Sequence, residues 1–531
     1  MTPSAARPIR FVAALPLGLA VSLALAGAAQ AQQVAGEYSR TPAAAAAQWK
    51  LQGFPDARTA RLRYGTLPAA RLLQVEREIA TPGIKAVRVG IARKASSEAL
   101  QPAAPLRWVA LARAGAVARM EVRSPDARAL RVGLKLERLD DRDELRFAGS
   151  ADPARVVAVV TGAQARRQRD AQGLYWTPST DGEAQTIEVF RPAGIPGGAP
   201  QLAAPQLSHL VVDSRSGFKF TPKAVGSSGS CNVDTVCRVG ELGQGFVNAK
   251  NAVAHMQFVE GGTTYICTGT LINDGDPGTQ VPYFYGANHC FTDNNAVAPV
   301  ASQMQAVANT LNTFWNFEAT ACGNLTSAPT TQLTGGADYL YSNHLTDGML
   351  IRLRNPAPAG AFFAAWNAAT MTGSEAITGI HHPAGDLKKV STGQRLGNDA
   401  SLNTVGWLSG TTEGGSSGSG LFTISGGTYQ LRGGLYGGDA ACANSGSLSN
   451  TRNRDYYSRF DVVYQNIRQY LDGPVLREGS QPLIPPRTGT TASGQAASAA
   501  PASVVPAASA PSRDAHAGQR DTTRDQRLRQ R

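Results

Sequence analysis

Hydrophobic and polar residues alternate in short stretches along most of the chain. The stretches Leu130–Leu139 and Thr186–Phe190 alternate with a period of two between turns that contain Gly and Pro, which is typical of half-buried strands. Residues 224–473 contain many short strand-like runs, abundant Gly and Ser, and little helical periodicity before Val462–Leu471. The pattern predicts an all-β protein. A mostly β domain over residues 32–223 precedes a barrel or sandwich that a C-terminal helix closes.

The N-terminus differs from this pattern. Arg7 and Arg10 precede an apolar run over residues 11–26, and Ala29-Gln30-Ala31 follows it. A basic start, a short apolar core and an A-x-A site are the features of a secretory signal peptide. The run is shorter than the roughly 20 residues that cross a membrane. Residues 1–31 are therefore predicted to be a signal peptide cleaved after Ala31, and the mature protein is expected to be secreted without a membrane anchor.

Two other segments lack the alternating pattern. Residues 192–205 are rich in Pro and Gly and are predicted to be a linker between the two domains. Residues 474–531 are rich in Pro, Ala, Ser and Thr and end in an Arg-rich run. Such a composition cannot bury enough apolar surface to fold alone. We predict that residues 474–531 form a disordered, low-complexity tail.

Composition and charge exclude two classes of protein. Of the 531 residues, 42% are hydrophobic and 17% are charged, so the chain is not disordered as a whole. The net charge of +12 suggests a nucleic-acid partner, but the charge is uneven. Residues 32–223 carry 29 basic and 18 acidic side chains, whereas residues 224–473 carry 12 and 17. Because the second domain is acidic, we expect no nucleic-acid partner.

The cysteines all lie in the acidic segment. Their even number and the lack of any C-x-x-C spacing favour disulfides over a zinc site or a redox motif. Disulfides persist in oxidising compartments, which agrees with the predicted export. Spacing alone leaves the pairing open. The six residues are Cys231, Cys237, Cys267, Cys290, Cys322 and Cys442.

Three short stretches of the acidic segment carry residues suited to catalysis. An apolar strand delivers His289 next to a cysteine, Asp347 enters a buried strand, and Ser417 stands in the Gly/Ser run 413–420. A serine flanked by glycines can occupy a tight turn whose backbone N–H groups converge, as an oxyanion hole requires. Each stretch alone also has a structural explanation, because such residues are common in turns, caps and loops.

Together the three residues supply what nucleophilic catalysis needs. A serine hydroxyl is a weak nucleophile at neutral pH, a histidine can take its proton, and a carboxylate can hold the imidazole tautomer. The order His, Asp, Ser within one disulfide-bearing, exported domain makes an accidental combination improbable. The sequence therefore predicts a hydrolase with His289, Asp347 and Ser417 as its catalytic residues.

The same segment resembles the bacterial lysyl endopeptidases, which are serine endopeptidases of the chymotrypsin fold. The resemblance covers roughly residues 226–472 and includes all six cysteines. It implies two antiparallel Greek-key β-barrels with the site in the cleft between them. His289 and Asp347 would come from the first barrel and Ser417 from the second. The matching motifs are Ser228–Cys237, Cys267–Leu271, His289-Cys290, Phe314–Phe317, His381–Pro383 and Thr412–Ser419.

The resemblance also implies an oxyanion hole and a disulfide pattern. The backbone N–H groups of Gly415 and Ser417 would form the oxyanion hole. The reaction would need no cofactor, and the substrates would be proteins or peptides. The family's disulfide pairing would give Cys231–Cys442, Cys237–Cys322 and Cys267–Cys290.

Cleavage after lysine is the specificity that the resemblance implies. Trypsin's own pocket acid is absent, because its position is Thr411. The lysyl endopeptidases use an acid further along the chain, and Asp455 matches it, while Glu413 matches a second family acid near the pocket. Tyr436, beside Gly437, replaces a histidine of well-known members at the substrate-binding edge. The alternative for Asp455 is a purely structural ion pair with a neighbouring arginine.

Other enzyme classes fit less well. The run Gly414–Gly418 matches the G-x-S-x-G motif of α/β-hydrolases with Ser416 as nucleophile, but that fold needs a histidine after the serine. His516, in the predicted tail, is the only histidine there. The pair His381-His382 lacks a metal-ligand spacing, so we expect no metal and prefer a structural role for it. A trypsin-like protease of other specificity and an inactive binding protein on the same scaffold remain as alternatives.

Residues 32–223 are predicted to be a removable pro-domain. Their basic charge would attract the acidic domain, and they would cover the cleft or assist the slow folding of a β-rich domain. Self-cleavage between Lys223 and Ala224 would release the catalytic domain, which we expect to be a monomer. An ordinary attached domain is the alternative. Residues 224–473 contain three lysines against nine arginines, which would limit self-digestion, although an Arg-rich composition explains the same count.

Overall fold

The structure is a computed structural model that describes residues 33–79, 87–101, 105–214, 228–292, 295–324 and 326–472. The predicted signal peptide with Ala31, the predicted processing position Lys223 and the predicted tail lie outside these residues. Strands predominate over helices in the described part, so the prediction of an all-β fold is confirmed. No helix in that part is long and apolar enough to cross a membrane.

Two sheets form the N-terminal part and pack face to face. Their shared core contains Val132 and Leu134 from one sheet and Phe147 and Ile187 from the other. One sheet consists of Ala158–Thr161, Glu144–Gly149, Ala184–Pro192, Gly115–Arg123, Ala60–Tyr64 and Ala99–Gln101 in spatial order, with Val109–Leu111 beside Gly115–Arg123. The other consists of Tyr175–Trp176, Ala129–Glu137, Gln201–Leu210 and Gly90–Lys94, with Thr180–Asp181 beside Ala129–Glu137.

The prediction of a linker at residues 192–205 is wrong. Pro192 ends one strand, and the strand Gln201–Leu210 pairs with both Ala129–Glu137 and Gly90–Lys94. The Pro/Gly-rich residues form a short connection inside the N-terminal part, in which Gly194 has a φ of 77°. Pro and Gly mark turns as well as linkers, and only the pairing of the following strand separates the two.

Two further sheets form the C-terminal part. The second of them closes into a six-stranded barrel, because Thr428–Gly438 pairs with both Gly420–Ser425 and Asp455–Ser458. The first, open sheet consists of Thr331–Leu333, Asn312–Trp315, Val253–Glu260, Thr263–Ile272, Tyr283–Ala287, Gly348–Leu353 and Ala337–Ser342. The barrel also contains Ala376–His381, Lys389–Asn398 and Leu402–Ser409, and Val233–Asp234 and Ala365–Asn367 pair with its strands.

Short N-terminal segments extend the C-terminal sheets, which the sequence pattern did not indicate. Gln33–Val34 pairs with Ala365–Asn367, and Glu37–Tyr38 pairs with Phe362–Phe363. In addition, Val87–Arg88 pairs with residues 265–266. The N-terminal region is therefore joined to the C-terminal part by strand pairing as well as by side-chain packing.

The predicted C-terminal helix is present as Phe460–Leu471. Its buried residues include Phe460, Val463 and Ile467, and the spacing of three and four gives one apolar face. The helix Thr235–Ala252 was missed because Gly is a poor helix former and Gly243 interrupts it with a φ of 72°. The remaining helices are Ala69–Ile79, Ala95–Glu98, Gly162–Arg167 and Ala301–Ala308, with short 3₁₀ turns at Asp56–Arg58, Asn288–Cys290 and Pro383–Gly385.

A buried histidine makes the fold sensitive to acid. His255 is fully buried, with its ring 5.8 Å from that of Phe314 and 5.4 Å from that of His382. Burial lowers the pKa of His255 from 6.5 to about 3. Between these two values the unfolded chain binds a proton that the native protein does not, so stability falls as the pH falls below 6.5.

We expect the free energy of unfolding to decrease between pH 7 and pH 5, with about 2 kcal/mol of the loss due to His255. Urea unfolding of the wild type and of His255→Gln at both pH values measures this contribution. The variant is expected to lose less stability than the wild type over the same interval. An equal loss in the two proteins would contradict the assignment.

Candidate active site

Adjacent strands of the first C-terminal sheet bring His289 and Asp347 together. His289 follows the strand Tyr283–Ala287, Asp347 precedes the strand Gly348–Leu353, and Ala287 pairs directly with Gly348. The Asp347 carboxylate accepts from His289 Nδ1 at 2.7 Å and from the His289 backbone N at 3.0 Å. Two contacts to one residue fix both the loop and the ring. Asp347 is almost completely buried and the His289 side chain is 15% exposed.

Three disulfides are present, and one of them ends beside the histidine. They join Cys231 to Cys442, Cys237 to Cys322 and Cys267 to Cys290, the same pairs that the family resemblance implies. Cys267 lies in the strand Thr263–Ile272, so the third disulfide ties the loop of His289 to the sheet. A covalent link at this point limits the movement of the imidazole.

The serine reaches the histidine from the barrel. Ser417 Oγ lies 2.7 Å from His289 Nε2, so the imidazole lies between the hydroxyl and the carboxylate. Gly418 follows with a φ of 78°, and a Cβ there would lie 2.6 Å from Thr268 O. Glycine is therefore required where the turn presses against the first sheet. The backbone N of Thr268 donates to Ser417 O at 2.8 Å across the same junction.

The backbone amides of residues 415–418, the serine turn, divide into two sets. Ser416 N donates to Glu413 O at 3.0 Å, and Gly418 N donates to Leu435 O at 2.8 Å. Within the described ranges, the amides of Gly415 and Ser417 donate to no protein acceptor. These two amides belong to the residues predicted to form the oxyanion hole, and their contact with a ligand stays a prediction.

The family follows from comparison with known proteins. Residues 225–458 match the family described as "Lysyl endopeptidase, C-terminal domain", and residues 63–211 match "Lysyl endopeptidase N-terminal domain". The chain is 34% identical over 482 residues to a protein of Pseudomonas aeruginosa named "Lysyl endopeptidase", a match that covers 87% of this chain and 97% of the relative. This chain belongs to the lysyl endopeptidase family. It is a serine endopeptidase, and its substrates are proteins.

Among solved structures, one match is a thermostable serine protease from an extremophilic microorganism. The match has 13% sequence identity and a TM-score of 0.26, and it covers 41% of this chain and 95% of that protein. The α/β-hydrolase alternative is wrong, because the sheets in the described part of this chain are antiparallel with few exceptions and do not alternate with helices.

Asp455 is fully buried at the start of the last barrel strand. Its Oδ2 accepts from Trp407 Nε1 at 2.7 Å and from Thr412 Oγ1 at 2.6 Å. Thr412 lies directly before the Gly/Ser run 413–420, so the Asp455 carboxylate is connected to Ser417 through a short length of chain. The neighbouring Arg454 donates to backbone carbonyls, and Arg459 binds Asp461 at 2.6 Å. Both arginines thus have partners other than Asp455.

Glu413 and Tyr436 also lie close to the serine turn or the histidine. Glu413 Oε1 accepts from Gly229 N at 2.8 Å and from Asn232 Nδ2 at 2.7 Å. These two hydrogen bonds hold the segment around Cys231 close to the serine turn. The Tyr436 ring is perpendicular to the His289 ring at a centroid distance of 5.9 Å. Tyr436 stands in a β-bulge before Gly437, and a bulge redirects a side chain. Contact of these residues with substrate stays a prediction.

His381, for which the sequence predicts a structural role in a loop, supports the serine turn. His381 lies between Ser416 Oγ at 2.8 Å and Ser391 Oγ at 3.0 Å, and Ser416 Oγ accepts from Glu413 N at 3.2 Å. Ser391 donates in turn to Thr411 O at 2.8 Å. The network joins both ends of the turn through hydrogen bonds. The motif His381-His382-Pro383 was the available signal, but nothing in the sequence indicated its partner.

Proposed function

We propose that this enzyme hydrolyses peptide bonds on the carboxyl side of lysine through an acyl-enzyme on Ser417. The arrangement of His289 between Ser417 Oγ and Asp347 Oδ2, each at 2.7 Å, is the observation that carries the mechanism. Ser417 Oγ attacks the scissile carbonyl while His289 Nε2 takes its proton, and Asp347 holds the other ring nitrogen protonated. His289 then gives the proton to the leaving amine, and a water molecule activated by His289 releases the acid product.

The amides of Gly415 and Ser417 would stabilise the oxyanion. The developing negative charge needs donors that are already oriented and not engaged elsewhere. The absence of a protein acceptor for these two amides supports the second condition, whereas the amides of Ser416 and Gly418 are engaged elsewhere. We therefore assign the oxyanion hole to Gly415 and Ser417.

Lysine specificity is assigned to Asp455. A buried carboxylate favours a cationic side chain, because an isolated charge in a dry site is costly without an opposite charge. The two donors at Oδ2 keep the carboxylate in place on rigid barrel elements. A compact ammonium and a planar guanidinium differ in the space and donor geometry they need. The name of the Pseudomonas aeruginosa relative supports lysine over arginine.

Matched peptides that differ only in Lys or Arg before the scissile bond test this proposal. We expect kcat/KM to be much larger for the lysyl peptide. Equal rates on the two peptides would favour a trypsin-like protease of other specificity. No cleavage of either peptide by the processed protein, together with no labelling by a fluorophosphonate, would favour an inactive binding protein.

The N-terminal region is proposed to be a pro-domain that is removed by cleavage between Lys223 and Ala224 after secretion through residues 1–31. The fully buried Arg131 of this region donates to Thr310 O at 2.6 Å and Gln257 O at 3.4 Å in the C-terminal part. Docked in this way, the N-terminal region also covers apolar surface of the first C-terminal sheet around Ile266 and Phe314. We further propose that the released catalytic domain is a monomer.

We expect residues 224–473 expressed without residues 32–223 to give little active enzyme, because a β-rich fold of high contact order forms slowly. Adding residues 32–223 in trans during refolding should restore the activity. The yield of protein labelled by a fluorophosphonate measures the effect. A normal yield from residues 224–473 alone would contradict the folding role.

A further inference from the structure

The C-terminal part buries every lysine that residues 224–473 contain. Lys250, Lys388 and Lys389 are 9%, 1% and 5% exposed. Lys250 Nζ binds Glu318 at 2.5 Å, Lys388 Nζ donates to Lys250 O at 2.6 Å, and Lys389 Nζ binds Asp234. Each ammonium is therefore held inside the protein by a specific oxygen. The bonds that follow these lysines lie in the helix Thr235–Ala252 and at the start of the strand Lys389–Asn398.

The lysines of the N-terminal region that the structure describes are exposed instead. They are Lys50, Lys94 and Lys135. Lys94 ends a strand, and Lys135 lies inside one and pairs with Glu137 at 2.8 Å. Lys50 differs from both because it lies in irregular structure, between Glu37–Tyr38 and the turn Asp56–Arg58. An exposed, irregular segment is the preferred kind of site for proteolysis.

Lys50 also stands between two anchored segments. Before it, residues 33–39 are bound to the C-terminal part: two strand pairs are reinforced by hydrogen bonds from Asn273 Nδ2 to Ala35 O at 2.9 Å and from Ser39 N to Ala361 O at 2.8 Å. Next to it, Trp49 is bound to the N-terminal part. Trp49 packs in a small cluster with Ala148 and Val156. The bond after Lys50 is itself held on both sides, because Lys50 N donates to Glu188 Oε1 at 2.6 Å and Arg119 Nη2 donates to Leu51 O at 2.6 Å, so these contacts must open before cleavage.

We propose that the Lys50–Leu51 bond is a second self-processing site, an inference that rests on the proposed lysine specificity. Hydrolysis adds water across this bond and leaves a carboxylate on Lys50 and an amine on Leu51. Together with cleavage after Lys223 it frees residues 51–223, while the segment ending at Lys50 stays on the catalytic domain as a paired arm. Because Lys94 and Lys135 are exposed, the freed fragment can be digested further. The catalytic domain is not digested, because Lys250, Lys388 and Lys389 are buried.

The full chain carrying Ser417→Ala serves as substrate for a trace of active wild-type enzyme, and N-terminal sequencing with intact-mass measurement follows the products. We expect a new N-terminus at Leu51 and no N-terminus at Asn251, Lys389 or Val390. The arm that ends at Lys50 should co-elute with the catalytic domain in gel filtration. The same substrate with Lys50→Arg should lose only the cut at Leu51.

A matched pair of variants tests the protection of the catalytic domain. Asn324 is exposed in a loop of the C-terminal part, so Asn324→Lys should create a new self-cleavage product ending at position 324, whereas Asn324→Arg should not. Failure of the Leu51 terminus to form, or earlier cleavage after Lys250 or Lys388, would overturn the inference. The lysyl and arginyl peptides are assayed with the same enzyme. If lysine preference holds there, the inference alone has failed; if it does not, the proposed function has failed.

Discussion

Replacing Ser417 by alanine is expected to reduce kcat on a lysyl peptide by about 10⁶-fold, the size of effect seen when a triad nucleophile is removed. The hydroxyl is the atom that His289 Nε2 contacts at 2.7 Å, and alanine leaves nothing in its place to attack the carbonyl. Residual hydrolysis would come from substrate binding and the oxyanion amides. The rate of peptide hydrolysis by the wild type and by the variant, each in full-length and in processed form, measures the loss.

The adjacent serine gives a matched control. Ser416 Oγ binds His381 Nδ1 at 2.8 Å and is fully buried, so Ser416→Ala should keep the covalent labelling by a fluorophosphonate that Ser417→Ala loses. Asp347→Asn should keep the labelling but react slowly, with a decrease in kcat of about 10⁴-fold, because the amide favours the wrong imidazole tautomer. Labelling that survives in Ser417→Ala and disappears in Ser416→Ala would reverse the assignment of the nucleophile.

Replacing Asp455 by asparagine is expected to reduce kcat/KM on the lysyl peptide by about 10²- to 10⁴-fold. Loss of one partner of a buried ion pair costs about 3–5 kcal/mol, and the substrate ammonium would enter a site that no longer carries a negative charge. Asparagine retains a carbonyl oxygen that Trp407 Nε1 and Thr412 Oγ1 can still bind. The size and shape of the site should therefore change little.

Two measurements separate specificity from stability in this variant. The ratio of lysyl to neutral peptide hydrolysis should fall in Asp455→Asn, whereas the rate of fluorophosphonate labelling should stay near the wild-type value. Glu413→Gln provides the comparison for loss of a nearby negative charge, since the Glu413 carboxylate is bound to Gly229 N and Asn232 Nδ2. An unchanged lysyl rate in Asp455→Asn would remove Asp455 from the specificity assignment.

Local sequence determined which residues can take part in the chemistry. Strand periodicity predicted the β-rich fold, because the two faces of a strand alternate between core and solvent whatever the rest of the fold is. The Gly/Ser run around Ser417 identified the tight turn, because only glycine adopts positive φ there without steric cost. His289 and Asp347 could be selected because few side chains supply a base and a buried carboxylate.

Local sequence misjudged the elements whose identity depends on distant partners. Residues 192–205 have the composition of a linker, and only the pairing of Gln201–Leu210 with two other strands makes them a connection inside a domain. The segment 33–39 has too few residues to form an element alone, and its strands exist because Phe362–Phe363 and Ala365–Asn367 offer unpaired edges. The kinked helix Thr235–Ala252 is stabilised by packing rather than by its intrinsic propensity.

The sequence by itself determined the strand-rich character, the even set of cysteines and the residue types for a serine endopeptidase, whereas the export signal stays a prediction. Tertiary structure alone decided that His289 lies 2.7 Å from both Asp347 and Ser417. It also decided that His381 supports the serine turn and that the lysines of the C-terminal part are buried. The physical reason is that composition and periodicity act between near neighbours in the chain. Hydrogen bonding, desolvation and burial depend on atoms that come together only when the sheets pack.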